Sequence, residues 1–268
     1  MITITNDKVA GFEPRWAPYR GFSLLFDNPG HGVSPVGKGL LKLACAPGTD
    51  PDLHLYQGFV DCLDEIGRDL LIRTYLFCPL PPASYHVTAW DGLNDGNVQQ
   101  VAPQHRPGLE EFLDGLPGTL LTHTKFTARA EGSPLVTGNA LAMRFTFKAL
   151  RKWGNRVLVA RLKAADEDSE RALARMVEER NHLCAWFGER FGVQMRTRYA
   201  PHVSLGYFAN AECAELATPQ IDRWTALFQE KVGGWTIAFN SISLYGFTDM
   251  ATFVKKRFDL EDPLPASG

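Results

Sequence analysis

The sequence lacks the long apolar runs and the cysteine pattern that would assign it to several large classes of protein. No uninterrupted apolar segment approaches the ~18 residues of a membrane-spanning helix, and the N-terminal segment has neither the basic start nor the apolar stretch of a signal peptide. The five cysteines are an odd number, are widely spaced and form no Cys-x-x-Cys pair, which is typical of reduced core thiols. We therefore expect a cytoplasmic protein with no membrane partner.

A strong excess of charge of either sign is also missing. The formal net charge of −2 and the sequence pI near 6.4 disfavour a protein that follows long nucleic acid by releasing counterions. A small anionic substrate, or only the end of an RNA, remains compatible with this balance. The 268 residues, of ordinary apolar and charged content, suffice for one large domain or two fused lobes.

Apolar runs between turn residues predict strands, and apolar residues at helical spacing predict helices. Asp50, followed by Pro51, is the expected N-cap of the first long helix. The expected strands are 21–27, 39–46, 71–80, 84–92, 120–132, 134–150, 155–164, 198–208, 235–247 and 251–260, with 120–132 and 134–150 forming a hairpin. The expected helices are 50–70, 166–192 and 218–234, with one short helix inside the segment 93–118.

The order strand, helix, strand occurs twice, which indicates an internal duplication. A shift of 116 positions places Leu41 on Val157, Leu43 on Val159 and His86 on His202. We therefore expect one domain over residues 1–268. It comprises a first lobe of approximately 20–92, a surface insertion at 93–118 and a second lobe of approximately 135–258.

Both halves of this duplication end with the same short motif, which consists of histidine, valine and a hydroxyl residue. Residues two apart in a strand share a face and lie roughly 6.6 Å apart, so His86 and Thr88 point one way while the valine points into the core. His202 and Ser204 repeat the pattern. If the halves pack around a pseudo-twofold axis, two histidines and two hydroxyls face each other across one cleft.

This set of side chains suits the cleavage of a phosphodiester. One histidine can deprotonate the attacking oxygen and the other can protonate the departing one, because histidine titrates near neutral pH. The hydroxyls can donate hydrogen bonds to the non-bridging oxygens, and no metal or cofactor is required. One His-x-[Ser/Thr] match is expected by chance in such a chain, so the prediction depends on two copies at equivalent places.

Strand alternation extends this prediction to two aromatic residues. It places Trp90 on the face of His86 and Phe208 on the face of His202, where either ring could stack on a substrate base. The alternative is that both rings pack in the core. The same alternation directs Asp91, the carboxylate next to the first motif, to the opposite face.

The two motifs resemble the paired His-x-Thr/Ser signature of the 2H phosphoesterase superfamily, which includes LigT-like RNA 2′,3′-cyclic phosphodiesterases, also called 2′-5′ RNA ligases. "PHVSLGYF" resembles the second motif of that family, and "LPPASYHVTAWDG" is similar to the first motif of one branch. The resemblance covers roughly residues 39–208. It implies a bilobal α+β fold with an antiparallel sheet and packed helices in each lobe, and metal-independent chemistry on 2′,3′-cyclic or 2′-5′ phosphate linkages.

The resulting hypothesis is a monomeric phosphodiesterase acting on an RNA end or a small cyclic or 2′-5′ phosphorylated nucleotide. His86 and His202 would share the base and acid roles, and Thr88 and Ser204 would hold the phosphoryl oxygens. The sequence leaves open which histidine begins as the base, and hence whether a 2′- or 3′-phosphate results. Two alternatives remain: a non-catalytic protein that binds nucleotides or RNA ends, and a metal-dependent hydrolase that uses the same histidines as ligands.

Overall fold

The computed structural model describes residues 3–11, 15–30, 32–37, 39–122, 125–138 and 142–257, and it confirms an α+β fold built on antiparallel sheets. The strands are β1 Val9–Gly11, β2 Arg15–Trp16, β3 Gly21–Phe26, β4 Val33–Pro35, β5 Leu40–Leu43, β6 Phe77–Pro79, β7 Thr88–Asn94, β8 Met143–Trp153, β9 Val157–Ala164, β10 His202–Phe208, β11 Thr236–Phe239, β12 Ile242–Asp249 and β13 Thr252–Lys256. The helices are α1 His54–Ile66, α2 Arg68–Tyr75, α3 Arg106–Asp114, α4 Ala128–Glu131, α5 Pro134–Thr137, α6 Glu167–Phe191, α7 Ala211–Leu216 and α8 Ile221–Val232. Within the described ranges, no helix combines the length and the apolar character needed to cross a bilayer.

Two sheets carry the two histidine motifs. The six-stranded sheet has the order β4-β5-β13-β12-β3-β7, and the five-stranded sheet has the order β11-β8-β9-β10-β6. His86 lies two residues before the start of the edge strand β7, and His202 is the first residue of β10. The fold therefore supplies one motif from each sheet.

The strands of these sheets do not follow the expected lobe boundaries. The late strands β12 and β13 pair with β3 and β5 in the six-stranded sheet, and β6 pairs with β10 in the five-stranded sheet. The neighbour of β7 is β3, so the alignment of Leu41 and Leu43 with the strand next to His202 was wrong. Apolar alternation identifies strands but not their partners, because many pairings bury the same face equally well.

The helix signals were more reliable than the strand signals. Asp50 caps the 3₁₀ turn Pro51–Leu53 that leads into α1, accepting a hydrogen bond of 3.0 Å from the amide of Asp52, as predicted. The predicted strand 71–80 was wrong over its first half, because α2 continues to Tyr75. The chain then turns through Leu76 at φ +44° into the three-residue strand β6.

Residues 93–118, expected to be a surface insertion, also contribute side chains to the core. Helix α3 buries Leu109, Phe112 and Leu113, and the Phe112 ring lies 5.7 Å from the Phe22 ring of β3. The expected hairpin after this segment was also wrong. The described residues 125–138 contain the short helices α4 and α5, and only β8 is a strand; residues 123–124 and 139–141 lie outside the described ranges. Helix α3 of the segment 93–118 therefore packs into the core beside β3.

Candidate active site

The two motifs have the burial pattern that their sequences predict. The valines at the centre, Val87 and Val203, are both 0% exposed, whereas the histidine and the hydroxyl residue of each motif are partly exposed. Each apolar side chain thus anchors its motif in the core, and its two polar neighbours are left on the opposite face.

Both histidines are oriented by the same local hydrogen bond. The Nδ1 atom of His86 lies 2.7 Å from the carbonyl oxygen of Ser84, and Nδ1 of His202 lies 3.0 Å from that of Ala200. A carbonyl oxygen only accepts, so Nδ1 of each ring carries the hydrogen and donates it. In the neutral ring Nε2 is then the basic nitrogen, and neither Nε2 has a hydrogen-bond partner among the described residues.

Each imidazole also packs against one aromatic ring. The His86 ring centroid lies 4.3 Å from that of Phe253 on β13, and the His202 centroid lies 4.3 Å from that of Trp153 at the end of β8. A ring held by a hydrogen bond on one side and by an aromatic contact on another has few rotamers available. The two histidines are therefore preorganised in the same manner.

The surroundings keep both imidazoles neutral near pH 7. Burial lowers the pKa of His86 to about 4, and repulsion from His202 contributes, while the bond to Ser84 and the charge of Asp91 act in the opposite direction. Burial also lowers the pKa of His202, again opposed by its backbone bond and by Asp91. The two rings are close enough for their charges to interact, although they come from different sheets.

A cavity of about 850 Å³ opens beside these groups. Strand β7 contributes Thr88 and Asp91 to its wall and β10 contributes His202. The rest of the wall comes from β8, β9, α6 and the loop that joins α6 to β10: Trp153, Arg161, Arg180, Gln194, Met195, Arg196, Thr197, Arg198, Tyr199 and Ala200, together with Gln100. The structure therefore brings two of the predicted residues, Thr88 and His202, to one cavity wall.

A β-bulge in β7 reverses the face on which the residues after Thr88 lie. Thr88 pairs with Leu25 but Trp90 pairs with Leu24, so Ala89 is an extra residue in the strand. Asp91 then lies on the face of Thr88 and lines the cavity, contrary to the sequence prediction. Trp90 points into the core, is 0% exposed, and lies 4.7 Å from the ring of Phe187. Its expected place at the substrate cleft was wrong.

Strand β10 has a bulge at the equivalent point. Ser204 pairs with Val159 and Gly206 with Leu158, which leaves Leu205 as the extra residue. Phe208 is consequently 0% exposed, with its ring 5.1 Å from that of Phe77, so it does not line the cavity as expected. Tyr207 takes the face of Ser204 instead.

The sequence contains one signal for these bulges. A glycine inside a strand pattern often marks a bulge or a close backbone approach, and Gly92 and Gly206 follow the two extra residues closely. A Cβ atom on Gly92 would lie 2.2 Å from the carbonyl oxygen of Phe22, and one on Gly206 would lie 2.4 Å from that of Cys78. Both positions therefore require glycine.

Arg180 of α6 stabilises the first bulge. It is 3% exposed; its Nε donates to the carbonyl oxygen of Ala89 at 3.1 Å and its Nη1 donates to that of Thr197 at 3.2 Å. Tyr199, on the same loop as Thr197, donates its hydroxyl to the carbonyl oxygen of Thr88 at 2.9 Å. These bonds join α6 and the loop to β7. Sequence reasoning missed Arg180, which lies in an ordinary charged helical stretch.

The N-terminal segment adds a cation to the site. The Nζ atom of Lys8 lies 4.4 Å from the ring centroid of Tyr19 and 5.3 Å from that of Tyr207. Burial lowers the pKa of Lys8, but Tyr207, Tyr19 and Asp91 outweigh this and raise it above its usual value. The charged Lys8 is close enough to His202 to help lower the pKa of that imidazole.

The rearrangement around Asp91 also bears on the metal-dependent alternative, since a carboxylate now lies on the same face as the histidine motif. Across the described ranges, no group of three or more His, Cys, Asp or Glu side chains is arranged to hold a metal ion. Asp91 acts on the histidines through its charge.

Replacing Asp91 by asparagine should therefore shift the pH dependence of any activity that needs one protonated histidine. Loss of the carboxylate lowers the pKa of both imidazoles further, so kcat/KM at pH 7 should fall about 3- to 10-fold and the optimum should move to lower pH. The measurement is a pH profile of kcat/KM, with Glu178→Gln on the exposed face of α6 as the control. An unchanged profile for Asp91→Asn would show that its charge does not act on the histidines.

Comparisons with known proteins identify a similar fold but indicate no activity. No family model matches the chain, and no curated protein matches it. It is similar in structure to a conserved protein of unknown function from Agrobacterium tumefaciens str. C58, with a TM-score of 0.51 and 14% sequence identity over 92% of this chain and 88% of that one. At this identity the likeness concerns the fold alone.

Proposed function

We propose that the chain is a metal-independent phosphodiesterase of the 2H type that hydrolyses 2′,3′-cyclic or 2′-5′ phosphodiester linkages of RNA ends or small nucleotides. The observation that carries the proposal is the matched pair of histidines from two sheets. In each, Nδ1 donates a hydrogen bond to the carbonyl oxygen two residues earlier, an aromatic ring lies at 4.3 Å, and Nε2 has no partner among the described residues. We propose that these two groups transfer protons on opposite sides of one phosphorus atom.

In the proposed reaction, Nε2 of one histidine removes a proton from water as the water oxygen bonds to phosphorus. The other histidine, in its protonated form, donates its Nε2 proton to the ribose oxygen as the bond between phosphorus and that oxygen breaks. The first imidazole then releases its proton to solvent and the second takes one up, which restores the starting state. Either His86 or His202 can begin as the base, and that choice sets the product isomer.

The hydroxyl groups have a separate part in this reaction. Neither Thr88 nor Ser204 has a side-chain hydrogen-bond partner among the described residues, so both hydroxyls are free to donate to the non-bridging oxygens. Charge concentrates on these oxygens in the transition state, and donors already in position stabilise it without reorganisation. Lys8 would add a positive charge on the His202 side.

The local equivalence of the two motifs, including a bulge one residue after each hydroxyl, supports a duplicated arrangement around a pseudo-twofold axis. The five cysteines are buried and unpaired, which is compatible with a reducing compartment such as the cytoplasm. We propose both as further properties of this enzyme.

The lowered histidine pKa values predict an acidic optimum for kcat/KM. The reaction needs one neutral and one protonated imidazole, and burial disfavours the protonated form, so that form is populated only as the pH falls toward the folded-state values. The kcat/KM profile of the free enzyme should peak below pH 6.5 and decline as pH rises. Bound phosphate stabilises an imidazolium, so the profile of kcat should lie at higher pH. A kcat/KM maximum above pH 7.5 would contradict this assignment.

The proposal is tested with a short RNA that ends in a 2′,3′-cyclic phosphate, incubated with the protein in EDTA. Chromatography of the products should show conversion to a single phosphomonoester isomer. Turnover that EDTA abolishes would favour the metal-dependent hydrolase. Tight binding of the RNA end without a product, by a fully folded sample, would favour the non-catalytic binding protein.

A further inference from the structure

Four arginines lie on the wall of the cavity, and we call Arg161, Arg180, Arg196 and Arg198 the arginine wall. The cavity wall contains one carboxylate, Asp91, and none of the four guanidinium groups has an ion pair within 4 Å among the residues that the structure describes. Four positive charges collected beside a single carboxylate in a concave site repel one another. An anionic ligand relieves that repulsion.

Arg161 is the member of the wall nearest to the proposed chemistry. It pairs directly with His202 across β9 and β10, so the two side chains share a face of the sheet. Its Nε atom is buried and has no hydrogen-bond partner among the residues that the structure describes. Burying a charged donor without an acceptor is unfavourable, which indicates that an oxygen of a bound ligand completes this contact.

Arg180 differs, because its two observed bonds go to backbone carbonyls. Those bonds satisfy part of its hydrogen-bonding capacity but leave its positive charge uncompensated at the cavity. Arg196 and Arg198 lie on the loop before β10 and are exposed to the same space. The positive charge therefore comes from three separate elements: β9, α6 and this loop.

A phosphodiester alone does not account for so much positive charge. A phosphodiester has one negative charge, and in the proposed reaction the histidines and hydroxyls already donate hydrogen bonds or protons to its oxygens. A cavity of about 850 Å³ lies toward the upper end of the ligand-pocket range of roughly 300–1,000 Å³, so it can hold a nucleotide-sized molecule. A second phosphate, a phosphomonoester on the same molecule, would supply a dianion with oxygens for bidentate guanidinium contacts.

We infer that the substrate carries a second phosphate, a terminal phosphomonoester, and that the arginine wall binds it while the histidines act on the cyclic or 2′-5′ phosphodiester. This inference rests on the proposed function. It narrows the substrate class to small phosphorylated sugars or nucleotides and 5′-phosphorylated oligonucleotides, and it assigns the recognition of the second phosphate to Arg161, Arg196 and Arg198.

The test compares adenosine 2′,3′-cyclic phosphate with the same compound phosphorylated at the 5′ position. For the wild-type protein we expect the 5′-phosphate to raise kcat/KM by about 10- to 100-fold, mainly through a lower KM. Arg161→Gln should remove most of that advantage. The double variant Arg196→Gln/Arg198→Gln should reduce it as well, and it changes only exposed loop residues. Arg175→Gln, on the exposed face of α6, is the matched control and should keep the wild-type ratio.

The outcomes separate this inference from the proposed function. If both compounds are hydrolysed with the same kcat/KM, the inference is overturned and the phosphodiesterase proposal stands. If neither compound is hydrolysed, the phosphodiesterase proposal fails for cyclic nucleotides. The inference is then tested by measuring the binding of inorganic pyrophosphate by calorimetry. Binding that is about tenfold weaker in Arg161→Gln than in Arg175→Gln would support an anion site on the wall. Equal binding by the two variants would overturn it.

Discussion

Replacing His202 by asparagine is expected to lower kcat/KM for a 2′,3′-cyclic phosphate by about 10²- to 10⁴-fold, the usual contribution of one proton transfer. Asparagine can still donate a hydrogen bond to the carbonyl of Ala200 in place of Nδ1, but it has no group equivalent to Nε2. Activity should therefore fall while the local backbone contacts persist. The measurement is initial-rate kinetics in EDTA, with circular dichroism to establish that the variant is folded.

The same substitution at His86 should have a comparable effect, because the two imidazoles serve opposite sides of one reaction. In the double variant His86→Asn/His202→Asn the losses should not multiply, since groups that act as a unit give strongly non-additive effects. The single variants should also differ in their pH profiles. The one that lacks the base should lose the acidic limb of the kcat/KM profile, and the one that lacks the acid should lose the alkaline limb. Those limbs identify which histidine begins as the base.

The chain provides a close control for this experiment. His54 on α1 also has its Nδ1 at 2.8 Å from a backbone carbonyl, that of Pro51, and its ring lies 5.4 Å from Trp235. It is exposed on α1 and belongs to neither motif, so His54→Asn should retain full activity. Wild-type rates for either His86→Asn or His202→Asn would refute the two-histidine mechanism.

The second large effect concerns stability. Trp90→Ala should reduce the free energy of unfolding by about 3–5 kcal/mol, as is typical when a large buried aromatic side chain is removed. The Trp90 side chain is 0% exposed and contacts the rings of Phe187 and Phe22, at centroid distances of 4.7 and 6.2 Å. Because it lies inside the core behind the bulge, its loss leaves a cavity that the surrounding rings fill only partly. Urea unfolding followed by far-ultraviolet circular dichroism measures this change.

Trp235→Ala is the matched control, since that side chain is 39% exposed. It should cost well under half as much. A stacking role for Trp90 at the cleft makes a different prediction, namely that the conservative variant Trp90→Phe raises KM with little change in stability. The buried position predicts that Trp90→Phe is less stable than the wild type and keeps its KM. A raised KM at unchanged stability would mean that the ring reaches the substrate.

Features that depend on a few neighbouring residues could be predicted from the sequence. Asp50 and Pro51 predicted the start of the first helical segment, because a capping side chain and a proline act within one turn. The burial of Val87 and Val203, with polar residues on either side, followed from the two-residue period of an extended chain. The two histidine motifs were found for the same reason: each is three residues long and requires no knowledge of its neighbours in space.

Only the tertiary structure decided which other residues accompany those motifs. A single extra residue in a strand exchanges its two faces, and whether a bulge forms depends on the partner strand. The bulges therefore brought Asp91 to the cavity and sent Trp90 and Phe208 into the core. The arginine wall could not be predicted from the sequence either, because its members come from a strand, a helix and a loop that meet only when the sheets pack. By itself the sequence determined the local geometry of the two motifs, and the long-range pairing of strands determined what surrounds them, since pairing depends on contacts between residues far apart in the chain.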